Sequence, residues 1–251
     1  DVQAIVHAHP VNLVSYCCAG KMPPIGILPE AAQLLGKGKL SRYAIPGSTQ
    51  LAKNIADAIE PDTSWLMMEK HGAICLGKNL AEAFYKLEWL ELCAAIGIKA
   101  QNIGSLKEVS GNTTPHWDLN TPNRLDKQEI SALRESRLME YIERAAHRGL
   151  YTSTAGIWSV RNGKSFISSL PQTDSVFPHE DDFSTFSIES DDHPHAGIYR
   201  NNPDIQSIAS TFPMHLMAFA ACGLEMPTHT IPESYLMLRD MPMQKKRSHQ
   251  D

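Results

Sequence analysis

Apolar positions along the chain follow two rhythms. Val2-Gln3-Ala4-Ile5-Val6, Trp65-Leu66-Met67-Met68 and Ala73-Ile74-Cys75-Leu76 are short, β-rich apolar runs, which predicts strands, and Leu40 to Ile45 predicts another before the Pro46-Gly47 turn. Helical spacing governs the rest. It predicts a helix over Val11 to Ala19 closed by Gly20, with Pro23-Pro24 turning the chain, and a second from Gln50 to Ile59 behind Ser48 as N-cap, with Leu51, Ile55, Ala58 and Ile59 on one face. A long helix follows from Asn79 to about Ile103, striped by Leu80, Phe84, Leu87, Leu90, Leu92 and Ile96, and another spans Lys127 to His147, closed by Gly149. Between Val109 and Asp126 the composition changes to Ser, Gly, Asn, Thr and Pro, so 109–126 reads as a linker. Residues 241–251 read as a polar tail, and the fold class is α/β, of the α+β type.

The pattern repeats. Sliding the chain by 203 positions lays Asp204-Ile205-Gln206-Ser207-Ile208 on Asp1-Val2-Gln3-Ala4-Ile5, and the match runs without a gap to Pro232-Glu233 on Pro29-Glu30. Pro213, Leu216, Gly223 and Pro227 fall on Pro10, Leu13, Gly20 and Pro24. A unit of that length does not fit twice in 251 residues, so 1–108 is expected to be the end of one copy and 127–240 the start of the next.

Charge narrows the partners. A net charge of -5, with Lys245-Lys246-Arg247 the sole basic run, argues against a nucleic-acid or anionic-membrane surface. No run of 18 or more apolar residues and no signal peptide is seen. Five cysteines without a Cys-x-x-Cys spacing fit reduced thiols in a cytoplasmic protein, and a start at Asp1 is compatible with a piece of a longer chain.

The candidate chemistry is imidazole. Residues two apart on a strand point the same way, so His7 and His9 project side by side from one face. Glu69-Lys70-His71-Gly72 follows the Trp65 run, with Gly72 letting the backbone turn. If the two strands are neighbours, three neutral imidazoles can close on one zinc and leave a fourth position free. Ordinary strand-end histidines are the other reading.

His7-Ala8-His9-Pro10, Ile27 to Ala32, Tyr43 to Ser48, Glu69 to Ala73, Gly77-Lys78-Asn79-Leu80 and Glu82-Ala83 together resemble the C-terminal half of a class II aldolase/adducin domain. The resemblance implies a mainly antiparallel central sheet flanked by helices in three layers, and zinc on His7, His9 and His71. It also implies a lyase that cleaves an L-fuculose 1-phosphate-like ketose 1-phosphate to dihydroxyacetone phosphate and an aldehyde. A small phosphorylated sugar is then the ligand and a homo-oligomer the expected state. Sugar-phosphate epimerases and dehydratases share the scaffold, and an adducin-like, non-catalytic assembly domain is the alternative of a different class.

Arg144 to Leu150, Thr154 to Arg161 and Asp191 to Asp204 resemble the N-terminal half of the same family, with departures. His7 and His9 fall on Ser210 and Phe212, which cannot hold zinc. A turn whose asparagine contacts phosphate reads Gly156-Ile157-Trp158-Ser159, and the phosphate loop reads Ser168-Ser169-Leu170-Pro171. The acid/base glutamate corresponds to Asp191, and His193-Pro194-His195 is a second His-x-His whose last member is a structural histidine in the family. Glu30 and Glu233 read as helix-start residues favoured by the dipole. The second copy is expected to keep the fold and lose the chemistry.

Overall fold

In the structure, a computed structural model describing residues 2–108, 124–150, 156–170, 178–239 and 241, the chain falls into two compact units. One takes the described residues within 1–78, 90–112 and 214–251, the other those within 79–89 and 113–213. Most of the expected linker and nearly all of the tail lie outside the described residues.

The first unit begins with β1 (Ala4–Ala8), α1 (Val11–Ala19), α2 (Pro29–Leu35), β2 (Lys37–Ser41), α3 (Thr49–Ala58), β3 (Thr63–Met68) and β4 (Ala73–Gly77). Its sheet has the order β1-β4-β3-β2, antiparallel except for β2 on β3, whose parallel pairing needs the crossover that α3 supplies. Ser48 caps α3 as expected, its hydroxyl accepting from Leu51 N at 3.1 Å. The helix α4 (Leu80–Ala100) runs through both units. Trp65, Leu66, Met67, Ala73 and Cys75 are fully buried, as are Leu13 and Cys17 of α1 and Leu35 of α2. Burying such side chains contributes about 1.5–3 kcal/mol each for the larger ones and fixes β3 and β4 as the rigid floor of the unit.

β2 starts earlier than the Leu40 to Ile45 strand read from the sequence. The segment Lys37-Gly38-Lys39 reads as polar, but Lys37 and Lys39 reach Glu60 and Asp62 at the sheet edge, and Gly38 leaves room for the Trp65 ring.

The second unit holds α5 (Lys127–Ser136), α6 (Leu138–His147), β5 (Ile157–Asn162), β6 (Ser165–Ser169), β7 (Phe183–Ser187), α7 (Ala196–Asn201) and β8 (Ser207–Ser210). Its sheet, β7-β6-β5-β8, is antiparallel throughout. The described strands thus form two four-stranded sheets, mainly antiparallel and accompanied by helices. The single helix expected over Lys127 to His147 is broken at Arg137, whose φ of 58° is left-handed. Ser136 Oγ donates to Leu133 O and accepts from Leu138 N, closing one helix and opening the next. The break lets Leu133 join Leu138, Ile142 and Ala145 in one core with Ile167 and Phe183. Two further helices, α8 (Met214–Ala221) and α9 (Pro232–Leu238), belong to the first unit. No described helix is long and apolar enough to cross a membrane.

Candidate metal centre

The β3–β4 hairpin turn delivers the third histidine. Met68 N donates to Gly72 O at 2.8 Å and His71 N to Met68 O at 3.1 Å, and Lys70 takes the left-handed conformation, φ 56°. The turn therefore rests on Lys70, and Gly72 serves another purpose. A Cβ at Gly72 would sit 2.6 Å from Ala8 O and against the His9 ring, so only glycine lets the turn approach the end of β1. β1 and β3 are not neighbours as the sequence suggested; β4 lies between them, and the Ala8–Ala73 pairing carries His71 to His9.

His7, His9 and His71 each offer one ring nitrogen, and the three atoms lie within 4.8 Å of one another. His7 Nδ1 lies 2.9 Å from Ala73 O, and a carbonyl can only accept, so that nitrogen carries the proton and Nε2 keeps its lone pair. His7 Nε2 is 3.3 Å from His9 Nε2. Donors about 2.0–2.1 Å from a tetrahedral zinc are themselves about 3.3–3.4 Å apart, so this pair is already spaced for one ion. The backbone carbonyl behind His7 is the partner that metal-ligating imidazoles use to hold tautomer and orientation. His71 Nδ1 is buried with no hydrogen-bond partner, a polar atom left unsatisfied by protein groups. Burial first, then His7 and His9, push the His71 pKa down, which keeps the ring in the neutral form that coordinates. His7 and His9 face solvent, so an ion there would retain an open side. The residues present fit zinc.

The support behind the triad reaches far along the chain. α1 starts at Pro10-Val11 directly after His9 and has no N-cap side chain of its own. Glu91 of α4 takes that role, accepting from Asn12 N at 3.0 Å, Leu13 N at 2.9 Å and Asn12 Nδ2 at 2.7 Å. Sequence reasoning missed Glu91, and the signal for it was the helix start with nothing to satisfy its amides.

The residues singled out in the second unit behave differently. Asp191 is largely exposed and paired with Arg200 Nη2 at 2.8 Å. His193 and His195 are buried, and all four of their ring nitrogens are engaged. His193 Nδ1 accepts from His195 N at 3.0 Å and its Nε2 meets Ser168 Oγ at 3.0 Å. His195 Nδ1 meets Ser159 Oγ at 2.8 Å and its Nε2 meets Ser210 Oγ at 2.9 Å. No nitrogen remains for a metal. Burial pushes His193 down to about 3, with His195 adding to the effect, and pushes His195 down to about 4. Ser168 and Ser169 are buried strand residues: Ser168 Oγ donates to Trp158 O and Ser169 Oγ accepts from Trp158 N, so neither hydroxyl is presented as a phosphate loop.

Part of the chain is similar to known proteins. Residues 1–98 match the family described as class II aldolase and adducin N-terminal domain. An L-fuculose phosphate aldolase of Methanococcus maripaludis is 29% identical over 103 residues, 41% of this chain and 55% of that protein. Human beta-adducin is 22% identical over 196 residues, 72% of this chain and 26% of that protein. Among solved structures, an L-fuculose 1-phosphate aldolase aligns with a TM-score of 0.39 and 25% identity over 54% of this chain and 56% of that one. The chain spans about half the length of the curated aldolases that it matches. The likeness to the class II aldolase and adducin family is thus carried by residues 1–98.

Proposed function

We propose that His7, His9 and His71 hold a zinc ion and that the chain is part of a lyase cleaving a ketose 1-phosphate, L-fuculose 1-phosphate or a close relative, to dihydroxyacetone phosphate and an aldehyde. The observation that carries this reading is the meeting of three ring nitrogens within 4.8 Å, one of them fixed in its tautomer by Ala73 O. Zinc, when bound, supplies Lewis-acid polarisation of a substrate oxygen. The chain's own work is to present the imidazoles. Ala73 O holds the His7 proton on Nδ1, Gly72 admits the His9 ring, and Glu91 anchors the helix that follows His9. Carbon–carbon cleavage also needs a group that moves a proton. Asp191 is the residue that stands at the family's acid/base position in the second copy, where Arg200 Nη2 donates to its Oδ1 at 2.8 Å.

Metal analysis of the purified chain, together with release of dihydroxyacetone phosphate from L-fuculose 1-phosphate, tests both parts. About one zinc per chain, absent in His7→Ala, supports the metal assignment. Zinc without cleavage would retain the metal and remove the lyase from this chain. One observation favours the second reading, an adducin-like assembly domain without catalysis: the beta-adducin match extends over 72% of the chain, whereas the aldolase match covers 41%. Under that reading no zinc is retained.

A further inference from the structure

Lys37 meets Glu60 and Asp62, Lys39 meets Glu60, and Lys86 meets Glu82 at 2.8 Å: each of these lysines takes a carboxylate within its reach. Lys70, whose chain neighbour is a glutamate, does not. Among the described residues it forms no ion pair, and the carboxylate beside it is spent elsewhere, Glu69 Oε2 accepting from Tyr43 N at 3.0 Å. The Lys70 ammonium rests instead over the Tyr43 ring, 5.6 Å from its centroid, and both residues are exposed. A cation over an exposed aromatic face is held weakly.

The backbone of this lysine is strained as well. At φ 56° its Cβ crowds the following carbonyl, a conformation that glycine adopts freely. Of the three described non-glycine residues in this region, Arg137 joins α5 to α6 and Arg239 ends α9, whereas Lys70 lies in the turn that delivers His71. The turn is closed by the bonds from Met68 N to Gly72 O and from His71 N to Met68 O, and Lys70 N donates to Cys17 O at 3.0 Å. All of these are main-chain bonds, which a glycine at position 70 would make equally well. The turn does not need the lysine, and strain kept beside a candidate metal ligand points to a use for the side chain.

We propose that Lys70 is the anion-binding residue of the metal centre: its ammonium leaves the Tyr43 ring and takes an anionic oxygen group, phosphate or carboxylate, of a ligand whose other end lies at His7, His9 and His71. Three neutral imidazoles bring no charge of their own, and Lys70 adds a fixed positive charge one residue from the third of them. Successive Cα atoms are about 3.8 Å apart, so the ammonium and the His71 ring spring from neighbouring points of one turn and a ligand of sugar size can span both. A charge-assisted bond to an oxyanion is stronger than the aromatic contact it replaces, which makes Tyr43 a resting place and the ligand the destination. Only the ligand's metal end depends on the zinc reading; the ammonium holds an oxyanion with or without the ion.

The test uses the full chain as parent, Lys70→Gly, Lys70→Arg and Lys53→Ala, the last removing an exposed lysine of α3 as control. Zinc content is measured first, and inorganic phosphate and acetate are then titrated calorimetrically into each protein, as purified and after loading with zinc. Lys70→Gly is expected to weaken binding of the preferred anion by about tenfold or more, with Lys70→Arg within about threefold of the parent and Lys53→Ala unchanged. Tighter binding of phosphate than of acetate assigns a phosphorylated ligand, and the reverse order a carboxylate. Lys70→Gly should also unfold at a higher urea concentration than the parent, because glycine relieves the strained φ, so lost affinity cannot be laid to a damaged fold. Anion affinities equal in parent and Lys70→Gly, or a parent that binds neither anion, overturn the proposal. A parent without zinc whose phosphate binding still depends on Lys70 removes the zinc reading and keeps this one, and a zinc-bearing parent whose anion binding ignores Lys70 does the reverse.

Discussion

One absent methyl group decides how closely the third histidine approaches the first two. At Gly72 an added Cβ would lie 2.6 Å from Ala8 O and against the His9 ring, and backbone at that distance cannot yield. Gly72→Ala is therefore expected to leave the fold intact while displacing His9, lowering zinc affinity at least tenfold in competition with a chromophoric chelator. Gly197→Ala, where nothing lies within 4 Å, is the control and should leave affinity unchanged. A Gly72→Ala protein that binds zinc as tightly as the parent would refute the role given to this glycine. At this scale the imidazoles were legible in the sequence because ligand chemistry resides in the residue type. What supports them was not. Ala73 acts through its carbonyl, which any residue offers, Lys70 adopts a conformation its type disfavours, and Glu91 caps a helix 79 positions away.

Elements were readable where one period dominated. Ser48, the Trp65 run and the long α4 emerge where the pattern places them, but the stripes hold only in part: Leu51 is the buried member of the α3 face, Ile59 is exposed, and Leu80 and Phe84 of the α4 stripe are exposed while Leu87, Leu90, Leu92 and Ile96 are buried. β2 was shifted because its lysines take their partners from the Glu60–Asp62 loop, a tertiary pairing with no local trace. The break at Arg137 was hidden because helical spacing continues across it, Leu133, Leu138 and Ile142 remaining apolar on both sides. The start of α5 carries a local signal: Asp126 accepts from Gln128 N and Glu129 N, and Glu129 Oε2 reaches back to Asp126 N at 2.9 Å. Asp126→Ala should cost about 1 kcal/mol in denaturant unfolding, the usual worth of an N-cap. Glu129→Ala should cost at least as much, because its other oxygen also accepts from Thr185 Oγ1 at 2.7 Å. Equal stability of Asp126→Ala and parent would show that the cap is idle.

Over the whole molecule, the two buried histidines of the second unit tie stability to acidity. Burial pushes His193 down to about 3 and His195 down to about 4, against about 6.5 for a free imidazole in the unfolded chain. Both are neutral in the fold, and the hydrogen bonds match that state: His193 Nδ1 accepts from the His195 amide while its Nε2–H donates to Ser168 Oγ, and the His195 ring meets Ser159 Oγ and Ser210 Oγ. Above about pH 6.5 folded and unfolded chains bind the same protons at these rings, so their contribution is constant. Below it the unfolded chain takes up protons that the folded chain refuses until the pH reaches the lowered values, and stability falls as pH falls. The slope is up to about 1.4 kcal/mol per pH unit for each ring. Carboxylates titrate mostly lower, so the interval from about pH 6.5 to 5 isolates the imidazoles. Urea unfolding across that interval should give a stability that drops with acid, and His195→Gln should remove about one proton's worth of the slope, whatever it does to stability at neutral pH. A slope unchanged by that substitution would mean that the ring is already protonated within the fold, which its bonds to Ser159 and Ser210 would then have to accommodate as two donations.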